Sequence, residues 1–324
     1  MVVKTVFSHE DFRAILAGYN LGDYLTSEPF TSGTVQTNYL LRTTSGNFVF
    51  RYYENRTHGS VIFETNLIKY LNDKHFPCPA VFRNRHGRTA NSYQGKPFAI
   101  FEFVEGSHLQ NPTERQKRQL IQKVAELQIL TSGYRPAHTQ DRWNYGVDLA
   151  RTLAQASAAN LATPNAAAKL RWFEAELQNL RLPRSLPKGI CHCDFHFSNV
   201  LYKDGEFKAL IDFDDANYTY LSIDLASLLN PFIPAFEWNT WQTFPKDAEI
   251  LNFAEARWIV QEYHQQRPLN ASEKRHLFDM VKLLILFDCL WWFKRGQVDD
   301  FYERRKIDCL NTFGRDRFYA ALIG

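Results

Sequence analysis

The sequence predicts an α+β protein in which a small antiparallel sheet with one or two helices precedes a larger, mainly helical part. Strand-like runs and turn signals are concentrated in the first hundred residues, and helical periodicity dominates after Gly106. A strong hairpin signal, Asp204-Gly205, interrupts the helical part. Strands followed by helices are typical of α+β folds. We therefore expect a first lobe over residues 1–105 and a second over 106–324.

The composition is that of a folded globular chain. Of the 324 residues, 45% are hydrophobic and 23% are charged, which excludes disordered, collagen-like and coiled-coil proteins. The 38 basic residues barely outnumber the 35 acidic ones, so neither a nucleic acid nor a membrane surface is an expected partner. Five cysteines are too few for a disulfide framework, and the N-terminus lacks the apolar core of a signal peptide. We expect a cytoplasmic protein.

The first lobe contains clear helix and strand signals. Ser8 with Asp11 predicts a capped opening helix that ends at Gly18. The Ser45-Gly46-Asn47 turn predicts a hairpin between the runs on either side of it. The remaining predicted elements are a helix that contains Phe63 and Leu71 and two strands, at Ala80–Arg83 and Pro97–Val104.

The second lobe is predicted mainly from helical spacing. The segment Asn111-Pro112-Thr113-Glu114 is a good helix start. Leu170 to Leu180 mark another helix, which a proline-rich stretch ends. The strands predicted around the Asp204-Gly205 turn are Val200–Lys203 and Phe207–Ile211, and the chain from Asp224 onward is mostly helical.

Polar residues at the ends of this predicted hairpin indicate phosphoryl transfer. Asn199 precedes the first strand and Asp212 follows the second, so a tight turn should bring an amide and a carboxylate together. Oxygen ligands of this kind suit Mg²⁺, which completes its shell with phosphates and water. Asp194 is then left to act as a base toward an attacking hydroxyl group.

The same residues carry a resemblance to a known family. His192-Cys193-Asp194, Asn199 and Ile211-Asp212-Phe213 resemble the catalytic and metal-binding loops of the protein-kinase-like fold. In the form H-x-D-x-H-x-x-N they resemble the aminoglycoside phosphotransferase and choline kinase superfamily. The segments NYLLRT, HFPCPA and FEFVEG are similar to those of homoserine kinases of the kinase-like type. The resemblance implies a bilobal kinase that uses ATP and Mg²⁺.

The resemblance also implies roles for individual residues. Asp194 matches the catalytic base, and Asn199 and Asp212 match the metal ligands. Glu64 matches an acid that pairs with a phosphate-holding strand cation, and Arg51 stands where that cation is usually lysine. The guanidinium can hold phosphate oxygens, but its forked geometry differs from that of a lysine ammonium group.

Further matches concern ATP and the stability of the loops. Ser32, Gly33 and Thr34 match the phosphate-covering loop, and Glu102, Phe103 and Val104 match the hinge that would hydrogen-bond adenine. His192 matches a loop-stabilising position. Asp224 resembles a structural aspartate of the superfamily, whose carboxylate we expect to cap a helix.

The acceptor is expected to be a small hydroxylated metabolite, with homoserine or a similar amino alcohol as the first candidate. Aminoglycosides and choline or ethanolamine are alternatives, because the segments that would bind the acceptor carry only scattered acidic and aromatic residues. The candidate acceptor contacts are His196, Asp214, Asp288, Trp291 and Trp292.

Two alternatives come from other functional classes. A catalytically silent nucleotide-binding or regulatory protein would explain Arg51 and the single glycine of the phosphate loop. A metal-dependent hydrolase would use His192, Asp194 and His196, which strand alternation would place on one face. The hydrolase alternative leaves Asn199 and Asp212 unexplained, and it needs a transition metal rather than Mg²⁺.

Overall fold

The computed structural model describes residues 4–31, 35–229, 252–293 and 304–324. Two compact units are assembled from segments that are distant in the sequence. The first unit comprises Met1–Pro112, Gly133–Arg142 and Phe197–Ala216, and the second comprises Thr113–Ser132, Trp143–His196 and Asn217–Gly324. The hairpin predicted around Asp204-Gly205 thus belongs to the same unit as the N-terminal sheet. A lobe boundary at residues 105 and 106 stays a prediction.

The first unit is built on an antiparallel sheet of five strands. These are β1 (Tyr24–Pro29), β2 (Thr37–Thr43), β3 (Gly46–Tyr52), β4 (Asn91–Tyr93) and β5 (Lys96–Glu102). Their order across the sheet is β1-β2-β3-β5-β4. Strands β2 and β3 form the predicted hairpin, in which Thr43 lies opposite Gly46. The central position of β3 brings Arg51, near its end, between two neighbouring strands.

Two helices accompany this sheet, α1 (His9–Leu16) and α2 (His58–Asp73). The predicted capping box is present, since Ser8 and Asp11 bond each other's backbone N–H groups. Aromatic rings fill the core beside α1, where the Phe50 ring lies 5.0 Å from that of Phe7 and 5.3 Å from that of Phe12. Burial of this aromatic cluster attaches the opening helix to the sheet.

A separate hairpin completes the first unit. Its strands are β7 (Val200–Lys203) and β8 (Glu206–Leu210), paired antiparallel as predicted. Asp204 and Gly205 have φ values of 53° and 80°, the left-handed backbone that a tight hairpin turn requires. Reciprocal backbone hydrogen bonds of 2.9 Å join Tyr202 to Ser107, so the hairpin is anchored to the segment that follows β5.

The second unit is mainly helical. Its helices are α3 (Glu114–Leu130), α4 (Val147–Leu161), α5 (Pro164–Gln178), α6 (Ser222–Leu229), α7 (Phe253–Gln266), α8 (Ala271–Phe293), α9 (Arg304–Phe313) and α10 (Arg315–Leu322). A two-stranded antiparallel ribbon of β6 (Lys188–Cys191) and β9 (Asn217–Tyr220) accompanies them. Thr113 caps α3 in a capping box with Gln116, so the helix predicted at this position is confirmed.

Helix α8 passes through the core of the second unit and carries a buried charge. The Lys282 ammonium donates to Glu176 Oε2 at 2.6 Å and to Asn311 Oδ1 at 2.8 Å. A buried lysine is tolerated when it is paired in this way, and the contacts connect α5, α8 and α9. Neither α8 nor any other helix in the described ranges is long and apolar enough to cross a membrane.

Three sequence-based expectations differ from the structure. Residues Ala80–Arg83 were predicted as a strand, but only Val81 pairs, in an isolated bridge to Phe101. The short strand β4 lies in a stretch predicted as turns. It was not predicted because three residues are too few to show an alternating pattern. Asp224 does not cap a helix; it lies inside α6, and its carboxylate binds the backbone of another segment.

Candidate active site

The β7-β8 hairpin brings Asn199 and Asp212 to the same end of a two-stranded ribbon. Val200 pairs with Leu210. The ladder continues one step further, where the Ile211 N–H donates to the Asn199 carbonyl at 2.8 Å. Asp212 is the next residue along the chain. The predicted hairpin is therefore confirmed, and the proposed role of its two end residues as metal ligands stays a prediction.

Asp212 is held by the predicted phosphate-binding cation. The Arg51 Nη2 donates to Asp212 Oδ1 at 2.7 Å, and its Nε donates to Asn38 Oδ1 at 3.1 Å. The remaining arm, Nη1, lies 3.5 Å from Glu64 Oε1. Asp212 has the left-handed φ of 64°, which aspartate tolerates better than most residues. The guanidinium thus contacts both the predicted metal ligand and the predicted acidic partner.

Glu64 is a buried acid on α2, with 1% of its surface exposed. Burial raises the pKa of Glu64 to about 7, although the positive charge of Arg51 opposes this effect. Its Oε2 atom has no hydrogen-bond partner among the described residues. The carboxyl group therefore changes its protonation state near neutral pH, close to Arg51.

The turn after Asp212 is fixed by a buried ion pair. Arg56 donates to both oxygens of Asp214, at 2.9 and 3.0 Å, and Gln36 donates to one of them at 2.9 Å. Burial raises the pKa of Asp214, but the charge and hydrogen bonds of Arg56 outweigh this effect and hold that pKa below its ordinary value. Arg56 also donates to Asp215 at 2.8 Å. The contact of Asp214 with an acceptor stays a prediction.

Arg142 holds the same turn and was not predicted from the sequence. It is buried, and it donates to the carbonyls of Ala216 at 2.8 Å and Phe213 at 3.0 Å. Its other arm donates to the Ser60 hydroxyl at 2.9 Å, in the first turn of α2. An isolated arginine in a loop carries no sequence pattern, so only these contacts identify its role.

In the second unit, the segment after β6 has a constrained backbone. Cys193 adopts the left-handed φ of 65°, and Asp194 follows it. The buried carboxylate of Asp224 accepts the N–H groups of Cys193 at 2.9 Å and His192 at 3.1 Å. Burial raises the pKa of Asp224, and the Cys193 N–H opposes this effect. The backbone before the predicted base is thereby held from one side.

The predicted base and the candidate acceptor contacts of the second unit differ in exposure. Asp194 and His196 are exposed, whereas Asp288 is half-buried on α8. The side chains of Trp291 and Trp292 lie outside the described residues, and so do the phosphate-loop residues Ser32, Gly33 and Thr34.

The predicted hinge lies at the end of β5. The Glu102 N–H donates to the Ala80 carbonyl at 2.8 Å, and the Glu102 carboxylate accepts the Ala80 N–H at 3.0 Å. Phe103 and Val104 follow β5 and are half-buried. These contacts fix where the chain leaves the sheet, and the contact of the hinge with adenine stays a prediction.

The described ranges contain no group of three or more His, Cys, Asp or Glu side chains placed to hold a metal ion. The hydrolase alternative places His192, Asp194 and His196 on one face of a strand, but β6 ends at Cys191 and these three residues follow it outside any strand. Asn199 and Asp212 offer two hard oxygen donors, which fits a Mg²⁺ ion that takes its other ligands from phosphate and water.

Comparisons with known proteins agree with these motifs. A model of the phosphotransferase enzyme family matches residues 26–271. The chain is 31% identical to a homoserine kinase of Caulobacter sp. (strain K31) over 284 residues, 85% of this chain and 82% of that protein. It is 30% identical to a homoserine kinase of Rhodospirillum rubrum over 317 residues, 96% of this chain and 89% of that protein. The predicted resemblance is confirmed.

Solved structures share the fold at low identity. A spectinomycin phosphotransferase in complex with ADP and spectinomycin has a TM-score of 0.60 and 14% identity, and 99% of each chain is covered. An amicoumacin kinase in complex with AMP-PNP and Ca²⁺ has a TM-score of 0.61 and 16% identity, over 97% of this chain and 94% of that one. The protein-kinase-like fold predicted from the sequence is confirmed.

Proposed function

Since the chain belongs to the phosphotransferase enzyme family and is a small-molecule kinase, we propose that it transfers the γ-phosphoryl group of ATP to the hydroxyl of homoserine or a similar amino alcohol. The observation that carries this proposal is the identity of 31% and 30% with curated homoserine kinases over most of both chains. An aminoglycoside or another antibiotic is the second candidate, favoured by structures that share the fold at 14% and 16% identity.

Asn199 and Asp212 are proposed to hold the divalent metal. Their carbonyl and carboxylate oxygens suit Mg²⁺. The amicoumacin kinase complex, which shares the fold, also contains a divalent cation, Ca²⁺. When bound, the metal neutralises charge between the β- and γ-phosphates. The pairing of β7 with β8 holds the backbone of Asn199 close to that of Asp212, so one hairpin supplies both proposed metal ligands.

ATP is proposed to bind the hinge, the phosphate loop and Arg51. ADP and AMP-PNP in the complexes that share the fold support a nucleotide cofactor. Residues Glu102–Val104 would hydrogen-bond adenine, and Ser32–Thr34 would cover the phosphates. Because Arg51 lies 2.7 Å from Asp212, it brings a positive charge to phosphates bound beside that carboxylate.

Asp194 is proposed to accept the proton of the acceptor hydroxyl. Its exposed side chain can be reached by a substrate, and the backbone before it is held by Asp224. Most of the rate would come from alignment and charge neutralisation, because phosphoryl transfer leaves the protein little covalent chemistry. The proposed acceptor contacts are His196, Asp214, Asp288, Trp291 and Trp292. We also propose a cytoplasmic location.

The acceptor is tested by measuring ADP release from ATP and Mg²⁺ with homoserine, choline, ethanolamine and aminoglycosides. We expect the highest kcat/KM with homoserine. Turnover of an aminoglycoside without turnover of homoserine would make the second candidate correct. If none of these acceptors leads to ADP release, the catalytically silent alternative would be favoured. Hydrolysis that depends on Zn²⁺ would favour the metal-dependent hydrolase.

Replacement of Asp194 by asparagine tests the catalytic base. We expect Asp194→Asn to lower kcat about 10²- to 10⁴-fold and to leave ATP binding within about twofold, because it removes only the proton acceptor. Asp204→Asn is the matched control, since asparagine also tolerates the left-handed backbone of that turn. Unaltered turnover in Asp194→Asn would show that another group is the base.

A further inference from the structure

A chain of buried hydrogen bonds reaches the backbone before Asp194 from the far side of Asp224. The two oxygens of Asp224 accept the N–H groups of His192 and Cys193. One of them, Oδ2, also accepts Gln128 Nε2 at 3.2 Å. The carboxylate is therefore fixed both by the segment that it supports and by a side chain of α3.

The orientation of the Gln128 amide is set by Tyr263, the next residue in this series of hydrogen bonds. Arg267 donates to the Tyr263 hydroxyl oxygen at 3.1 Å, so that hydroxyl is left to donate its own hydrogen. The Tyr263 hydroxyl donates to Gln128 Oε1, which turns the amide NH₂ toward Asp224 and the Leu221 carbonyl, the latter at 2.9 Å. A reversed amide would place its oxygen against a carboxylate.

An ion pair between Arg267 and Glu273 anchors the end of the hydrogen-bond series that lies furthest from Asp224. Arg267 donates to Glu273 Oε1 at 2.7 Å, with 13% and 2% of the two side chains exposed. Each donor in the series, from Arg267 through Tyr263 to Gln128, points toward Asp224. Because Tyr263 and Gln128 are buried, water does not readily replace a hydrogen bond that is lost there.

The near end of the chain is a backbone that needs support. Cys193 has a left-handed φ of 65°, which costs energy for a residue other than glycine. Such residues persist where the surrounding structure over-determines them. Here the N–H of Cys193 and the N–H before it are both bound by Asp224, and Asp194 is the next residue.

We propose that Gln128 and Tyr263 are positioning residues for phosphoryl transfer, which keep Asp224 oriented so that the backbone at His192 and Cys193 aims Asp194 at the acceptor hydroxyl. The inference rests on the proposed role of Asp194 as the base. Neither residue is among the predicted contacts of ATP, metal or acceptor. Their loss should therefore lower kcat and leave the KM for ATP unchanged, because a small displacement of a catalytic group is costly.

The test uses two substitutions that keep side-chain shape, in the full-length enzyme. Tyr263→Phe removes one hydroxyl, and Gln128→Glu replaces the donor facing Asp224 by an acceptor. We expect each to lower kcat about tenfold or more, with the KM for ATP within about twofold of the wild type. Should Tyr263→Phe fail to fold, Gln128→Glu carries the test.

The double variant and a stability control separate positioning from general destabilisation. If Tyr263 acts through Gln128, the double variant loses no more kcat than the poorer single variant. Leu177→Ala creates a cavity in the core at α5, a helix that contributes no residue to these hydrogen bonds, and should lower the melting temperature while keeping kcat. Wild-type kcat in Tyr263→Phe or Gln128→Glu, or losses that multiply in the double variant, would overturn the inference.

Failure of this inference is distinguishable from failure of the proposed function. All variants are assayed with whichever acceptor of the panel the wild-type enzyme turns over. Full activity in Asp194→Asn would remove the proposed base, whatever the result for Tyr263→Phe. Loss of activity in Asp194→Asn with unchanged kcat in both Tyr263→Phe and Gln128→Glu would keep the base and overturn only the positioning role.

Discussion

At the scale of single residues, the turn after Asp212 depends on a buried arginine. Arg142 uses its forked guanidinium to reach the carbonyls of Phe213 and Ala216 and the Ser60 hydroxyl at once. These groups are buried with it, so each would lose its partner if the fork were removed. Arg142 therefore couples the start of α2, the helix that carries Glu64, to the turn beside the proposed metal ligand.

Replacement of Arg142 should destabilise the protein. A lysine ammonium group cannot reproduce the planar fork, so we expect Arg142→Lys to lower the free energy of unfolding by about 1–3 kcal/mol. Denaturant unfolding followed by fluorescence measures this change. The matched control is Arg151→Lys, a partly exposed arginine paired with exposed Asp148, whose effect should stay below about 0.5 kcal/mol. Equal effects of the two substitutions would contradict this account.

The protonation of Glu64 should make stability depend on pH. Its pKa is about 7 in the folded protein against an ordinary value of 4.5, so between these values the folded chain binds more protons than the unfolded chain. The free energy of unfolding therefore falls as the pH rises through this range. Glu64→Gln, which stays neutral, should lack this loss.

The measurement compares unfolding of the wild-type protein and Glu64→Gln at several pH values between 4.5 and 8. Relative to the variant, the wild type should lose up to about 3 kcal/mol across this range, since one pKa unit corresponds to about 1.4 kcal/mol. Parallel pH dependences of the two proteins would show that folding does not raise the pKa of Glu64.

At the scale of elements, the β7-β8 hairpin depends on its turn. Asp204 and Gly205 both have positive φ, and a Cβ added at Gly205 would meet no atom within 4 Å. The requirement for glycine there is conformational rather than steric. A strained turn would loosen the pairing that keeps Asn199 and Asp212 together.

A β-branched residue at this turn should weaken the hairpin. We expect Gly205→Val to lower the free energy of unfolding by about 1–2 kcal/mol, and to raise the Mg²⁺ concentration needed for half-maximal activity. Gly146→Ala is the control, because the φ of Gly146 is −158° and its nearest neighbour to an added Cβ lies at 3.8 Å. Equal Mg²⁺ requirements in Gly205→Val and the wild type would argue against the hairpin as the metal-holding element.

At the scale of the whole molecule, each unit gathers segments that are far apart in the chain. The proposed metal ligands belong to the first unit with Arg51 and Glu64, although more than a hundred residues separate them in the sequence. Asp194 belongs to the second unit. The proposed ligands of ATP and Mg²⁺ come from segments that only folding brings together. ATP and Mg²⁺ should therefore bind the folded protein and not the unfolded chain.

The expected result is a higher melting temperature with ATP and Mg²⁺. A ligand at about a hundred times its Kd stabilises the folded state by about 2.7 kcal/mol when it binds only that state. Differential scanning fluorimetry with ATP and Mg²⁺, with AMP-PNP and Mg²⁺, and with Zn²⁺ alone measures the shift. Asp212→Asn should remove the part that depends on Mg²⁺. A shift with Zn²⁺ alone would contradict the proposed cofactors.

Features encoded by neighbouring residues were predicted from the sequence. Ser8 with Asp11 specified a capping box, and Asp204-Gly205 specified a hairpin turn, because both depend on contacts within a few residues. The spacing from Asp194 to Asn199 and Asp212 pointed to a kinase for the same reason, since one short hairpin carries most of the pattern.

The sequence by itself therefore determined the fold class, the hairpin and the chemical type of the candidate site. Only the tertiary structure decided what supports that site: Arg142 on the turn, and Gln128 and Tyr263 behind Asp224. These contacts join residues that lie tens of positions apart, where no periodicity or turn chemistry marks them. Long-range hydrogen bonds depend on how the elements pack, and they become visible only after packing has brought the side chains together.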